Sequence, residues 1–197
     1  MNKTVKFIVR VAIFGSISAI LYVVPFLKFP VPIFPSFLEF HFDEIPIFLG
    51  GFAYGPWAAL AMIFLRTLIK LPFTSTLCVG ELADLLFSIA FIMPATIFYR
   101  YKKTFGGALI GILIGTFFQL VISLLGNVYI MVPFYMFAFG LDEAQLLGFF
   151  PPSITDIKWS YGFVGVLPFN VIKDGLVIIV TILTYKSLHK LINRFDK

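Results

Sequence analysis

The chain has few of the residues on which metal or thiol chemistry depends. Among its 197 residues are a single cysteine and two histidines. Because Cys78 is alone, it excludes an internal disulfide and any cysteine metal cluster. His41 and His189 lie on segments that we expect at opposite sides of the molecule, so we predict no paired zinc site and no bound metal.

Several catalytic motifs are also missing from the sequence. It contains no phosphate-binding loop with Gly-Lys-Ser or Gly-Lys-Thr, no Gly-x-Ser-x-Gly elbow and no His-Glu-x-x-His pair. We therefore expect no enzyme, no catalytic residue and no resident cofactor. If the protein uses ATP, the ATPase must be another chain.

Charge is scarce, whereas apolar residues are abundant. Charged residues make up 13% of the chain and hydrophobic residues 60%, against the roughly 25% charged residues of a soluble domain. This composition predicts an integral membrane protein that contacts membrane lipid, with residues 1–197 forming a single membrane-embedded domain. The net charge is +5, and the basic residues lie at the ends of apolar segments. This distribution favours a role in membrane topology over nucleic-acid binding.

Apolar periodicity predicts an all-α bundle of six transmembrane helices. The second segment is too short to cross a bilayer alone, since about 20 helical residues are needed. A long extracellular loop from Lys28 to Glu44 joins helices 1 and 2, and a second long loop runs from Met136 to Trp159. The predicted spans are residues 7–27, 45–55, 57–71, 80–99, 106–134 and 160–187.

The distribution of basic residues predicts the orientation. With the N-terminus inside, nearly all acidic residues and both long loops fall outside, in keeping with the positive-inside bias. Both termini are then cytoplasmic. The basic residues on that side are Lys3, Lys6, Arg10, Arg100, Lys102, Lys103, Lys186, Lys190, Arg194 and Lys197.

Polar residues interrupt the last apolar segment. Asn170 and Lys173 are three positions apart and share one helix face. A charge near the middle of a span costs roughly 2.5 to 3.5 kcal/mol on insertion scales and normally marks a functional site. We interpret both side chains as polar groups that contact a ligand in a cavity. Alternatively, Lys173 pairs with a carboxylate and has a structural role only.

Other candidate contacts lie on three earlier segments. Asn127 offers amide donors and an acceptor to a ligand or, equally, to another helix. Glu81, next to Gly80, is either a contact at the mouth of the cavity or an acidic helix start. The proline-rich first loop is expected to fold back as a lid whose aromatic underside, Phe34, Phe37, Phe40 and Phe42, suits a planar ligand.

The first span carries small residues at helical spacing, namely Ala12, Gly15, Ser16 and Ala19. In lipid such a stripe lets another helix approach closely. It is therefore a candidate docking surface for a partner, or equally a packing surface within the same bundle.

Five blocks of sequence occur in a fixed order along the chain. They are Phe34-Pro-Ser-Phe-Leu-Glu-Phe40, Asp43-Glu-Ile-Pro46, Gly50-Gly-Phe-Ala-Tyr-Gly-Pro56, Val79-Gly-Glu-Leu-Ala83 and Pro168-Phe-Asn-Val-Ile-Lys173. With these blocks the chain resembles, over almost its whole length, the riboflavin-specific substrate-binding subunit, or S component, of energy-coupling factor transporters.

The resemblance implies a prokaryotic plasma-membrane protein that captures riboflavin, or also FMN, from outside. It also implies partners, which are a transmembrane coupling subunit, docked on the small-residue face of helix 1, and two ATP-binding-cassette ATPases. Polar flavin contacts would come from Asn127, Asn170 and Lys173. The first loop would close the pocket through Phe34, Ser36, Phe37, Leu38 and Glu39.

Two positions depart from the family pattern. Asp84 stands where an amide is common, and Asp174 where glycine is common. We expect Asp174 to form an ion pair near Lys173 or to point towards another helix. Because the architecture is shared among S components, folate, thiamine or pantothenate remains an alternative ligand, and a membrane protein without transport function is a further one.

Overall fold

The computed structural model describes residues 2–27, 29–30, 33–34, 38–74 and 76–195, with only the backbone described at 29–30 and 186–195. Within these residues, five helices are long and apolar enough to cross a membrane. They are Lys3–Val23, Pro56–Phe73, Val79–Tyr101, Phe105–Phe139 and Tyr161–Tyr185. The chain is thus a helical membrane protein, as its composition predicts.

The first helix, α1, spans Lys3–Val23 and begins after Asn2, whose side chain accepts a hydrogen bond from the Thr4 amide. The helix begins and ends four residues before the predicted bounds of about 7–27. Val24 is already extended and Pro25 starts a short 3₁₀ turn, Pro25–Leu27. A proline removes a helical donor and disfavours helical backbone in the residue before it, which ends α1.

Two short strands follow, and they are an exception to the all-α prediction. β1 (Phe29–Pro30) pairs antiparallel with β2 (Glu39–Phe40), with Phe29 opposite Phe40. The loop after α1 therefore turns back on itself, so that Leu38 and Glu39 lie just before the next helix.

The next two helices are short and closely joined. α2 (Glu44–Tyr54) has 11 residues, about half the length that a span requires. α3 (Pro56–Lys70) follows after Gly55 alone and runs into a 3₁₀ turn, Leu71–Phe73. Gly55 has φ of 96°, a backbone conformation that favours glycine, so the chain can turn there without a loop.

Two long helical segments come next, and the second is built from two α-helices joined by a π turn. α4 covers Val79–Tyr101 and α5 covers Phe105–Gly126. The latter continues through a π-helical turn, Asn127–Met131, into α6, Val132–Phe139. The helix therefore runs five residues beyond the predicted end at about residue 134, and the π turn lets it pass Pro133. The Val132 amide bonds to the Asn127 carbonyl, five residues back, which moves the hydrogen bonds out of register with the proline ring.

The second predicted loop also contains structure. α7 (Glu143–Leu147) is fixed by a capping box between Asp142 and Gln145, so the segment is not loop throughout. The last helix opens with another π turn, Tyr161–Val166, and continues as α8, Leu167–Phe195. Here too a proline, Pro168, comes two residues after the end of the turn and is tolerated in the same way.

The helices pack around a core formed by α2, α3 and α4. Its fully buried members include Ile47, Phe48, Met62, Phe91 and Ile92. The α4 and α5 backbones approach closely at Gly115, where an added Cβ would lie 1.9 Å from the Phe91 carbonyl oxygen. Small residues allow such contacts between membrane helices.

Candidate ligand-binding site

A cavity of about 690 Å³ lies among the helices, which falls within the usual range of roughly 300 to 1,000 Å³ for small-molecule sites. Side chains from α1, from β2 and the residues next to it, from α3, α4, α6, α7, α8 and the segments joining them, and from the π turn Asn127–Met131 contribute to it. Its lining comprises Tyr22, Leu38, Glu39, His41, Lys70, Thr76, Gly80, Glu81, Ala83, Asp84, Phe87, Asn127, Met131, Tyr135, Phe139, Leu141, Leu146, Phe149, Phe169, Asn170 and Lys173.

Most of the site residues predicted from sequence meet in this cavity. Those that line it are Gly80, Glu81, Asn127, Asn170, Lys173, Leu38 and Glu39. Phe34 is absent from the lining and is instead buried edge-on against Phe169, with ring centroids 5.5 Å apart. Ser36 and Phe37 lie outside the described residues. Whether these residues bind a ligand stays a prediction.

Asn127 lies at the first position of the π turn between α5 and α6. Its Nδ2 donates to the Ser123 carbonyl at 2.9 Å, and its Oδ1 accepts from the Tyr161 hydroxyl at 2.9 Å. Tyr161 begins the other π turn, so the two irregular segments are joined at the cavity. An amide has two N–H groups and two acceptor lone pairs. Asn127 therefore keeps one donor and one acceptor position beyond these bonds.

Asn170 is held by two buried bonds. Its Oδ1 accepts from Gln119 Nε2 at 2.8 Å, and its Nδ2 donates to the Val166 carbonyl at 2.9 Å. Gln119, which is fully buried, thus fixes the amide orientation of Asn170 from α5. One N–H of Asn170 remains beyond these two bonds.

Lys173 has an ionic partner on α2. Its Nζ donates to Glu44 Oε1 at 3.1 Å, and both side chains are buried. The carboxylate pairing that we considered as an alternative therefore exists, yet Lys173 also lines the cavity. Because an ammonium has three N–H groups, pairing with Glu44 leaves donors for a ligand.

Asp174, next in sequence, is fully buried. Its expected ion pair with Lys173 is absent from the described part of the chain, and neither carboxylate oxygen has a hydrogen-bond partner there. The prediction of an ion pair near Lys173 is thus not met in the described residues. Lys173 contacts Glu44 instead, which reaches it from another helix.

Glu81 is fixed at the beginning of α4. Its Oε2 accepts from the hydroxyls of Thr74 and Thr76, both at 2.7 Å. These bonds tie the connection between α3 and α4 to the cavity wall. Glu81 therefore lies in the first turn of α4 and also lines the cavity.

A buried charge network lies behind the cavity and centres on Arg66 of α3. Its guanidinium donates to Asp43, to Asp84 Oδ2 at 2.7 Å and to Ser88 Oγ at 3.1 Å. His41 Nδ1 also bonds to Asp43. Burial alone would raise the pKa of the Asp43 carboxyl, but His41 and Arg66 hold that pKa well below its usual range. The network joins the loop after β2 to α3 and α4.

The aromatic residues are arranged differently from the predicted lid. Phe34 and Phe40 pack on Phe169, while Phe42 packs against the core. Of these four rings, only Phe169 lines the cavity. The remaining apolar lining comes mainly from the π turn Asn127–Met131, from α6, and from α7 and the residues after it, through Met131, Tyr135, Phe139, Leu146 and Phe149.

The small-residue stripe of α1 divides into two pairs. Gly15 and Ala19 are buried, and a Cβ at Gly15 would lie 2.8 Å from Leu65 of α3. Ala12 and Ser16 are exposed. Half of the stripe thus packs within the chain, and the docking role of the stripe stays a prediction.

Sequence reasoning missed several residues of the site. Asn127, Met131, Tyr135 and Phe139 recur every four positions, so helical spacing from Asn127 could have identified the last three. The partners Tyr161, Gln119 and Glu44 could not be assigned in this way. They are separated by 34, 51 and 129 residues from the side chains that they bind.

Comparisons with known proteins agree with the architecture. The riboflavin transporter RibU of Staphylococcus aureus (strain TCH60) is 29% identical over 185 residues, which cover 94% of this chain and 93% of that protein. The riboflavin transporter FmnP of Bacillus subtilis (strain 168) is 23% identical over 183 residues, 91% of each chain.

A solved structure has the same fold. It is described as "Structure and mechanism of the S component of a bacterial ECF transporter" and matches with a TM-score of 0.75. The match covers 96% of this chain and 98% of that chain, at 24% identity. The family model "ECF transporter, substrate-specific component" matches residues 6–185. These matches confirm the family resemblance drawn from the sequence blocks, and with it a transporter component in place of an enzyme. The chain belongs to the substrate-specific components of ECF transporters.

Proposed function

We propose that this chain is the riboflavin-binding S component of an ATP-driven vitamin importer, and that it captures riboflavin from outside the cell. The observation that carries the proposal is the cavity, in which two buried amides and an ammonium face a largely apolar lining. A flavin has a flat apolar ring system with one polar edge, and a hydroxylated side chain. The cavity offers surfaces for each.

The polar edge of the flavin ring both donates and accepts hydrogen bonds. Asn127 retains a donor and an acceptor position, while Asn170 and Lys173 retain donors. These three residues are therefore assigned to the ring edge. Gly80 and Glu81 of α4 contribute to the same site at its mouth.

The loop after α1 is assigned to closure of the site. Leu38 and Glu39 already line the cavity, and Phe34 braces Phe169. Ser36 and Phe37 belong to the same proposed closing segment on sequence grounds. Closure over a bound ligand removes water and strengthens the polar contacts inside.

Transport itself requires partners, namely a transmembrane coupling subunit and two ABC-type ATPases. Ala12 and Ser16 are the exposed members of the α1 stripe and are assigned to docking. Gly15 and Ala19 support that surface by letting α1 pack closely on the bundle. The chain acts as one domain, residues 1–197, with six membrane segments that include short α2. It lies in the plasma membrane with both termini cytoplasmic.

An absorbance and emission spectrum of the detergent-purified protein, before and after denaturation, tests the ligand class. We expect a yellow flavin, released in roughly equal molar amount. A colourless protein that also fails to quench added riboflavin fluorescence would reject the proposal. A panel of folate, thiamine and pantothenate would then identify the ligand of the cavity.

A further inference from the structure

Asp84 lines the cavity, and the two oxygens of its carboxylate differ in their contacts with the protein. Its Oδ2 accepts from Arg66 Nη2 at 2.7 Å, whereas its Oδ1 lies 3.9 Å from His41 Nε2, beyond hydrogen-bond distance. No other described side chain bonds to Oδ1. The side chain is 13% exposed, and it lines the cavity. One carboxylate oxygen of Asp84 is therefore available to a molecule inside the cavity.

Arg66 cannot contact that molecule itself. Its side chain is fully buried, is absent from the lining, and is bound to Asp43, Asp84 and Ser88. The ring of Tyr22, another lining residue, lies 4.8 Å from the guanidinium carbon. A guanidinium fork bound on two sides has one orientation. Arg66 therefore sets the direction of the Asp84 carboxylate without reaching the cavity.

The surroundings of Asp84 indicate what it binds. His41, Lys70, Thr76 and Glu81 contribute polar groups to the lining from the loop after β2, from α3, from the connection between α3 and α4, and from α4. The apolar lining comes chiefly from the π turn Asn127–Met131, from α6, and from α7 and the residues after it. A flat ring fits apolar side chains, while a chain of hydroxyl groups fits donors and acceptors placed side by side. An ionised carboxylate only accepts, so its partner must be an O–H or N–H donor.

We propose that the Asp84 carboxylate binds hydroxyl groups of the ribityl chain, and that Arg66 is the positioning residue that directs this carboxylate into the cavity. The inference rests on the proposed riboflavin function and names the part of the ligand that this wall holds. Hydrogen bonds to a charged acceptor are shorter and stronger than neutral ones. Asp84 therefore discriminates a flavin with a hydroxylated side chain from one without it.

Paired titrations with two flavins test the proposal. Riboflavin carries the ribityl chain, while lumiflavin has the same ring with a methyl group in its place. Flavin-free protein in detergent is titrated with each by fluorescence quenching. We expect Asp84→Ala to weaken riboflavin binding about tenfold or more. Lumiflavin binding should change by less than about twofold, because the ring contacts are untouched.

Two further variants separate the binding role from a folding role. Asp84→Asn keeps an acceptor for Arg66 but replaces the cavity-facing oxygen with an NH₂ group, and should weaken riboflavin binding about threefold or more, since the charged acceptor is lost. Arg66→Lys keeps the charge but removes the fork, and should also weaken riboflavin selectively. Retained lumiflavin binding shows that each variant is folded. Glu143→Gln, an exposed charge on α7 outside the lining, is the matched control and should change neither titration.

Each other outcome overturns the proposal in a recognisable way. Equal losses for both flavins would show that Asp84 acts on the ring or on the fold. Unchanged riboflavin binding in Asp84→Ala would remove Asp84 from the site, and unchanged binding in Arg66→Lys would remove the positioning role. A wild-type chain that binds neither flavin would reject the riboflavin function itself, and this inference with it.

Discussion

At the scale of single residues, Asn127 makes the clearest prediction. Asn127→Ala should weaken riboflavin binding about tenfold or more, because leaving a buried polar partner unpaired costs about 1 to 3 kcal/mol. Fluorescence-quenching titration measures the loss. Tyr161→Phe should give a smaller loss, since it removes only the hydroxyl that orients the amide. Asn2→Ala, an exposed amide at the start of α1, is the control. Wild-type affinity in Asn127→Ala would exclude this residue from the site.

The Lys173 and Glu44 pair makes a prediction about stability as well as binding. Removing one partner of a buried ion pair typically costs about 3 to 5 kcal/mol, because the other charge is left uncompensated. Lys173→Met and Glu44→Gln should each lower the thermal unfolding temperature in detergent.

The double variant of this pair separates the two roles of Lys173. Lys173→Met with Glu44→Gln should recover much of the stability, since no unpaired charge remains. It should not recover riboflavin binding, because the ammonium donors are gone. If binding returned together with stability, Lys173 would be a structural residue only.

At the scale of elements, the contact between α4 and α5 depends on glycine. A Cβ at Gly115 would lie 1.9 Å from the Phe91 carbonyl oxygen, and that backbone atom cannot move aside without shifting the helix. Gly115→Ala should therefore destabilise the protein and weaken binding, since α4 lines the cavity and α5 continues into the π turn that carries Asn127. Gly106→Ala on the same helix meets nothing within 4 Å and should be neutral. Equal melting temperatures for the two variants would contradict the close packing.

Sequence predicted the elements better than it predicted their partners. Asn127, Asn170 and Lys173 stand out because polar groups are costly in apolar segments, so their place in one cavity followed from the sequence. Their side-chain partners Tyr161, Gln119 and Glu44 come from distant segments, and no local pattern specifies such pairings. The π turns were also missed. Pro133 and Pro168 ordinarily indicate helix ends, yet each follows a turn that shifts the hydrogen-bond register. The two turns meet through Asn127 and Tyr161, so the proline positions help to build the site.

At the scale of the whole molecule, binding and transport should be separable. The exposed side of α1 combines small Ala12 and Ser16 with large apolar residues such as Ile13 and Ile17. Bulky side chains at the small positions would hold a partner helix away and forfeit its van der Waals contacts. Ala12→Phe with Ser16→Phe should therefore leave riboflavin affinity unchanged while abolishing ATP-dependent uptake into vesicles that contain the coupling subunit and ATPases.

Leu113→Phe, at an exposed position on α5, is the matched control for this prediction and should preserve uptake. The same vesicles without the coupling subunit and ATPases should show binding but no accumulation of riboflavin. Because the chain has no phosphate-binding loop of its own, accumulation in their absence would mean that another energy source drives transport. Full uptake by the double variant of α1 would instead place the docking surface on a different helix. The two measurements are independent: uptake by the double variant tests the docking surface, and accumulation without the partners tests the need for the ATPases.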